Sequence, residues 1–201
     1  MESIQVIKEI INIVAPILGL VIAAIGVFTW RIQLKGKTEY ELSRRLLKAV
    51  YELRDAIKVV RNPAIIPEEV VSAFRKKGLS DEEIIKKGDI VFSKDVVYEY
   101  RWKYITTALS TLEVEELEAE VLWGKEIKEE IHRFKQCTYK LNLNLKRLFR
   151  QEVGKRNFSK EKLDEIHKVV WDDFENDTPF DIELSSTLKD IEEFLKPHLK
   201  L

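Results

Sequence analysis

Side chains able to do chemistry are few in this chain, and they are widely spaced. Histidine, which exchanges protons near neutral pH, occurs as His132, His167 and His198. His132 follows Glu129-Glu130, and His167 lies upstream of Asp172-Asp173. Neither arrangement has the i, i+4 spacing that sets an imidazole and a carboxylate on one helix face to hold a metal. The lone cysteine, Cys137, has no partner for an intramolecular disulfide or a cysteine-cluster zinc site, and it suits a reducing compartment. It falls beside an apolar helical stripe, which makes it a small core residue rather than a nucleophile. The chain has no Gly-rich phosphate loop, no G-x-S-x-G, no H-E-x-x-H and no EF-hand loop. The expectation is a protein without a metal site, without a cofactor and without a catalytic constellation.

One nuclease chemistry needs only two residues. A general acid/base beside a cation can cleave RNA without metal. In the small all-helical HEPN domains an arginine precedes the histidine by four to six residues. Here the arginine nearest before His167 is Arg156, and His132 adjoins Arg133. The motif is not met. A membrane-tethered nuclease would have to use Arg54, Arg61, His132 and His167 from separate segments.

The element around which these residues are arranged is Ile10 to Trp30, a run without a charged residue, bracketed by Glu9 and Arg31. As a helix its roughly 21 residues span about 30 Å, the thickness of a bilayer's hydrocarbon core. A cleaved signal peptide would have a basic start and a small-x-small end, whereas this run follows MESIQVIKE and ends in Phe28 and Trp30. It reads as an uncleaved anchor. Lys8 alone precedes it, while Arg31, Lys35, Lys37, Arg44, Arg45 and Lys48 follow. Positive residues stay cytoplasmic. Residues 1–9 are thus expected outside, 10–30 as the transmembrane helix of the inner (cytoplasmic) membrane, 31–37 as a juxtamembrane joint and 38–201 as a cytosolic domain. Trp30, Arg31, Lys35 and Lys37 are the expected interface anchors. Within the run, Ala15, Gly19 and Ala23 recur every four residues, with Gly26 near the same side. Such a row lets helices approach closely in lipid, so self-association is expected. Pro16 marks a potential kink.

The remainder is charged and periodic. The 201 residues contain 34 Lys+Arg and 35 Asp+Glu, a net charge of -1 that argues against general nucleic-acid binding. Seven glycines and five prolines leave little room for anything but helix. The fold class is therefore all-α: one N-terminal span and a cytosolic antiparallel helical bundle. Gly36 should break the first helix, and Thr38-Glu39-Tyr40-Glu41 should recap a second. Leu42, Leu46, Val50, Leu53, Ile57 and Val60 give that helix one apolar stripe, ending before Asn62-Pro63. Arg44, Arg45, Lys48, Arg54 and Arg61 would form a basic face, either solvated near anionic lipid or contacting a cytosolic ligand.

Two short helices should follow, from Pro67 and after Ser80, the second ending at Gly88. A long helix should start near Asp95, its apolar positions being Val96, Tyr100, Tyr104, Ala108, Leu112, Val114, Leu117 and Val121. Trp123-Gly124 interrupts it. The next helix carries Ile127, Ile131, Phe134, Thr138, Leu141, Leu145 and Leu148. Another runs from an N-cap at Ser159 to about Phe174, and the last from Asp181 to Leu195.

The segments WRIQLKGKTEYEL, LLKAVYELRDAIKVVRNP, LEAEVLWG and EFLKPH together resemble a group of bacterial single-span membrane proteins that have no assigned activity. The resemblance covers most of the chain and implies a membrane-anchored helical protein, with no active site to carry over. In plan alone, without a shared motif, the chain is also similar to CRISPR-associated membrane pore proteins. Three functions follow as expectations. The first is a self-associating membrane effector or scaffold, of the kind found in prokaryotic defence or stress response. The second is a passive adaptor that docks a cytosolic protein partner. The third is the tethered nuclease. The partners expected are the lipid bilayer and further copies of the chain, with nucleic acid disfavoured.

Overall fold

The computed structural model describes residues 2–86, 94–152, 154, 157–173 and 175–199; of these, the side chains of 2–15, 85–86 and 152 are not described. All regular structure among them is helical: α1 (Glu2–Arg61), α2 (Pro67–Lys76), α3 (Asp81–Lys86), α4 (Lys94–Trp123), α5 (Lys125–Glu152), α6 (Lys160–Val170) and α7 (Pro179–Leu195).

α1 is a single helix of 60 residues that runs through Pro16, Gly36 and Thr38. This corrects the expected break at Gly36 and the expected cap at Thr38. Thr38 Oγ1 does not cap a new start but donates back to the Leu34 carbonyl at 3.0 Å. Glu41, the other half of the supposed capping box, faces Lys37 at 3.8 Å, and Lys35 faces Glu39 at 3.6 Å. A single helical glycine costs about 1 kcal/mol relative to alanine. With no proline beside it and i, i+4 ion pairs on either side, that cost does not stop the helix. Residues 31–37 are therefore helical.

The helix ends where Asn62-Pro63 predicts. Asn62 Oδ1 accepts from the Ala64 amide at 2.9 Å and turns the chain toward α2. Pro67 occupies the first turn of α2 with Glu68 and Glu69 beside it. Ser80 and Glu83 exchange the reciprocal bonds of a capping box at the start of α3. The expected stop at Gly88 lies outside the described residues.

One core unites the second half of α1 with α4, α5, α6 and α7: α1 packs on α4 and α7, and α5 packs on α4, α6 and α7. Leu46, Leu53 and Ile57 of α1 are fully buried, as are Ile127, Ile131, Phe134 and Leu141 of α5. Cys137 is buried among them. Its thiol is pushed up to about 11, chiefly by burial, so it is a core group and no nucleophile. Along the α1–α4 contact, Arg45 reaches Glu115 and Glu118, whereas Asn62 meets Arg101.

Two expectations for the later helices fail. In α4 the buried face is Val97, Tyr98, Arg101, Ile105, Ala108, Leu112, Glu116 and Ala119. Val96 also lies inside, but Tyr104, Val114, Leu117 and Val121 are exposed. This helix carries apolar residues on opposite sides, so spacing alone gave no unique face. α6 ends at Val170, four residues short of Phe174, because Trp171 is extended (φ -103, ψ 140) and leads into the α7 cap.

Candidate functional site

A cleft of ≈ 450 Å³ is lined by Arg54, Lys58, Asp172, Asp173, Asp177 and Asp181, and none of the three histidines lines it. His132 meets Gln136 at 3.0 Å, and no hydrogen bond or ion pair joins His132 or His167 to Arg54 or Arg61 among the described residues. No group of His, Cys, Asp or Glu able to hold a metal ion occurs among them. His198 has a different setting. Its Nδ1 lies 3.2 Å from Glu39 of α1, and its ring stacks on Trp123 with centroids 4.9 Å apart.

What is unusual lies along α1. From Pro16 onward the helix contains a window of mean hydropathy 1.9, none of which is buried, so the described residues include one helix, near the N-terminus, long and apolar enough to cross a membrane. Ile17, Leu20, Ile22, Ile25 and Phe28 are each more than half exposed. A Cβ added at Gly19 or Gly26 would meet nothing within 4 Å. The small-residue row is thus open along its described part; the side chain of Ala15 lies outside the described residues. Trp30, Arg31, Lys35 and Lys37 are likewise exposed.

Unbroken helix fixes the row relative to the domain. At about 100° per residue, the mean direction of Gly19, Ala23 and Gly26 lies roughly 160° round α1 from that of Leu42, Leu46, Leu53 and Ile57. The row faces away from the side on which the other helices pack. Lys37, Arg44 and Lys48 continue the line of the row, and Trp30 stands between.

The expected basic face divides. Arg44 and Lys48 are exposed. Arg45 is turned to α4, where Glu115 accepts at 2.9 Å and Glu118 accepts as well; the Glu115 hydrogen bond leads in raising its pKa. Arg54 lies over the Tyr51 ring, and Asp55 accepts from its Nε at 2.8 Å. Arg61 is not on that face at all. Its side chain is 1% exposed. Nε donates to the Val169 carbonyl at 3.0 Å, and Nη2 to the Trp171 carbonyl at 2.9 Å and to Asp181 at 3.1 Å. Nη1 donates to the other Asp181 oxygen. The guanidinium also covers the Phe180 ring at 4.6 Å. Asp181 in turn completes the capping box with Thr178 that starts α7. Burial pushes the Asp181 carboxyl up, but the hydrogen bonds from Arg61 and Thr178 outweigh it and hold the pKa below its ordinary value.

Arg101, which the sequence did not single out, makes a second buried clasp. It holds Glu69 through Nε at 2.6 Å and Nη2 at 2.8 Å, and it donates to the Asn62 and Ala64 carbonyls. Burial alone would lower its pKa; the Glu69 hydrogen bonds reverse this and raise it. The two arginines satisfy carbonyls at the ends of α6 and α1, where helices leave acceptors unpaired. They anchor the far end of the helix whose stretch from Ile17 to Phe28 exposes its large apolar side chains.

Compared with family models, with curated proteins and with solved structures, the chain matches none.

Proposed function

We propose that this protein is a single-pass membrane protein whose span self-associates, with its remaining helices forming an antiparallel bundle in the cytoplasm that acts as a membrane effector or scaffold. One observation carries the reading: from Ile17 to Leu34 α1 exposes a continuous sleeve of large apolar side chains that nothing among the described residues covers. Such a surface far exceeds the patches that monomers leave in water, and a bilayer covers it on every side. The charge asymmetry, Lys8 before the run against Arg31, Lys35 and Lys37 after it, supports a cytoplasmic domain. The outward direction of the small-residue row supports contact between spans without obstruction by the domain.

The test is carried out in native membranes. The protein should resist carbonate extraction, and a protease added to intact spheroplasts should leave the domain uncut. Gly19→Leu should keep the chain in the membrane and lower crosslinked oligomer at least tenfold. Undiminished oligomer in Gly19→Leu would remove the row, and release by carbonate would remove the span. An adaptor role is the second reading, and it draws on the exposed Val114, Leu117 and Val121 of α4. Arg61, withdrawn into the core, is lost to a tethered nuclease as a contact for substrate.

A further inference from the structure

The outer side of α4 carries Val114, Leu117 and Val121, which are 58%, 66% and 89% exposed. They recur three and four residues apart and share one side of the helix, opposite to Ile105, Ala108 and Leu112. A groove of ≈ 460 Å³ runs beside this stripe, between it and Thr38–Arg45 of α1. Glu113, Glu118 and Glu120 flank the stripe, each with a partner in its own chain, Lys135, Arg45 and Lys128; with Glu115 and Glu116, which share Arg45 and Lys135, the segment keeps more carboxylates than the cations that pair with them. Their charge disfavours anionic lipid, and it equally disfavours a like stripe from a second copy. A basic partner surface suits it, and the chain has one on the exposed side of α1: Arg44, over the Tyr40 ring, with Lys37 and Lys48, which keep only i, i+4 pairs to Glu41 at 3.8 Å and Glu52 at 3.6 Å.

The two surfaces stand at the same height. Arg45 is bonded to Glu115 and Glu118, so the α4 stripe is level with the stretch of α1 that holds Arg44 and Lys48. Copies held by one membrane differ by a rotation about its normal, which preserves height. They can therefore meet only through surfaces at equal height.

We infer that the chains pack head to tail: the α4 stripe of one copy docks on the Lys37/Arg44/Lys48 face of a second copy of this chain. The inference rests on the membrane-spanning reading of α1. The spans fit the same arrangement. The side of α1 that points toward α4 carries Ile17, Val21 and Phe28 in the span, at about 100° per residue. A neighbour turned to present α4 also presents this ridge, and the ridge meets a groove of Gly19, Ala23 and Gly26. Axes about 8 Å apart at Gly19 must be about 20 Å apart at Arg44, because α4 intervenes there. Over the roughly 37 Å between those levels the helices diverge by about 20°, an ordinary tilt for membrane helices.

The contact is heterologous, so a single chain uses one surface to give and another to receive. Full-length chains bearing Arg44→Cys and Val121→Cys, which stand within about 5 Å of the same height, under different tags, co-expressed and treated in membranes with a short bis-maleimide, test this directly. Cys137 is buried and adds no reactive thiol. The crosslink should form between the two tags and be at least tenfold weaker when either variant is expressed alone. A Val121→Cys product equally strong alone would mean stripe-to-stripe packing and overturn the inference. So would quenching of a Val121→Cys fluorophore by spin-labelled lipid without any product, which would give the stripe to the bilayer.

Carbonate extraction of the same membranes separates the two claims. Product from chains that wash off would keep the docking contact and discard the span. Absence of product from chains that stay embedded would discard the docking contact and keep the span.

Discussion

Arg61 joins three pieces of chain that are far apart in sequence: the end of α1, the end of α6 and the start of α7. A buried guanidinium is held by its partners or not tolerated, and removing one member leaves the other charge in the core. Arg61→Ala should therefore cost about 3–5 kcal/mol, read as a fall in the melting temperature of the detergent-solubilised protein. Asp181→Asn should cost less, and the double variant less than the sum, since each substitution removes the same bonds. The pH dependence follows from the sign of the shift. The Asp181 carboxyl is lower in the folded state than in the unfolded one. The clasp's stabilisation is thus fully present above the unfolded value of about 3.9 and lost as pH falls through the depressed folded value. Asp181→Asn should flatten the melting-temperature decline below about pH 4; an unchanged acid limb would assign that decline to other carboxylates. Neither clasp stood out as a site in the sequence. Arg61 lies beside Val60 and Ile57 at the edge of an apolar stripe, and Arg101 lies between Tyr98 and Ile105 on another. A cation within an apolar stripe is the signal of a buried one, but composition reads it as a charge on a solvated face.

Among the helices, those with a single apolar side were legible before the fold was known. Every apolar position expected in α5, from Ile127 to Leu148, is buried. α4 was not legible, because its outward Val114, Leu117 and Val121 compete with its inward set, and periodicity cannot say which side has a partner. Gly36 was misleading for another reason: the weak local preference of one glycine was set against helix on both sides. A Cβ at Gly36 would meet nothing within 4 Å. Gly36→Ala should therefore stabilise the protein slightly, by about 0.5–1 kcal/mol. Gly36→Pro should cost about 3 kcal/mol or more and bend the helix. Spin labels at Ile32 and Tyr40, measured as a distance distribution, would separate the cases. A narrow distribution in the wild type that broadens or shortens in Gly36→Pro is expected. An equally broad one in both would mean that the segment is a joint.

For the molecule as a whole, an uninterrupted α1 has a mechanical consequence. On the proposed reading of α1 as a membrane span, the helix acts as a keyed shaft: whatever angle the span takes in the bilayer, the domain takes with it. One residue inserted between Leu34 and Lys35 would turn the domain about 100° relative to the span and lift it about 1.5 Å; seven would restore the angle to within about 20° and lift it about 10 Å. Assembly that depends on both halves should then vary periodically with insert length. One added alanine should abolish crosslinking, and seven should partly restore it, with the same chains remaining membrane-embedded throughout. A monotonic decline would mean that height matters and phase does not. The shaft also implies a direction for signalling. On the same reading, an unbroken helix carries a twist or tilt imposed on the span toward the clasp at Arg61, about 45 Å beyond Trp30.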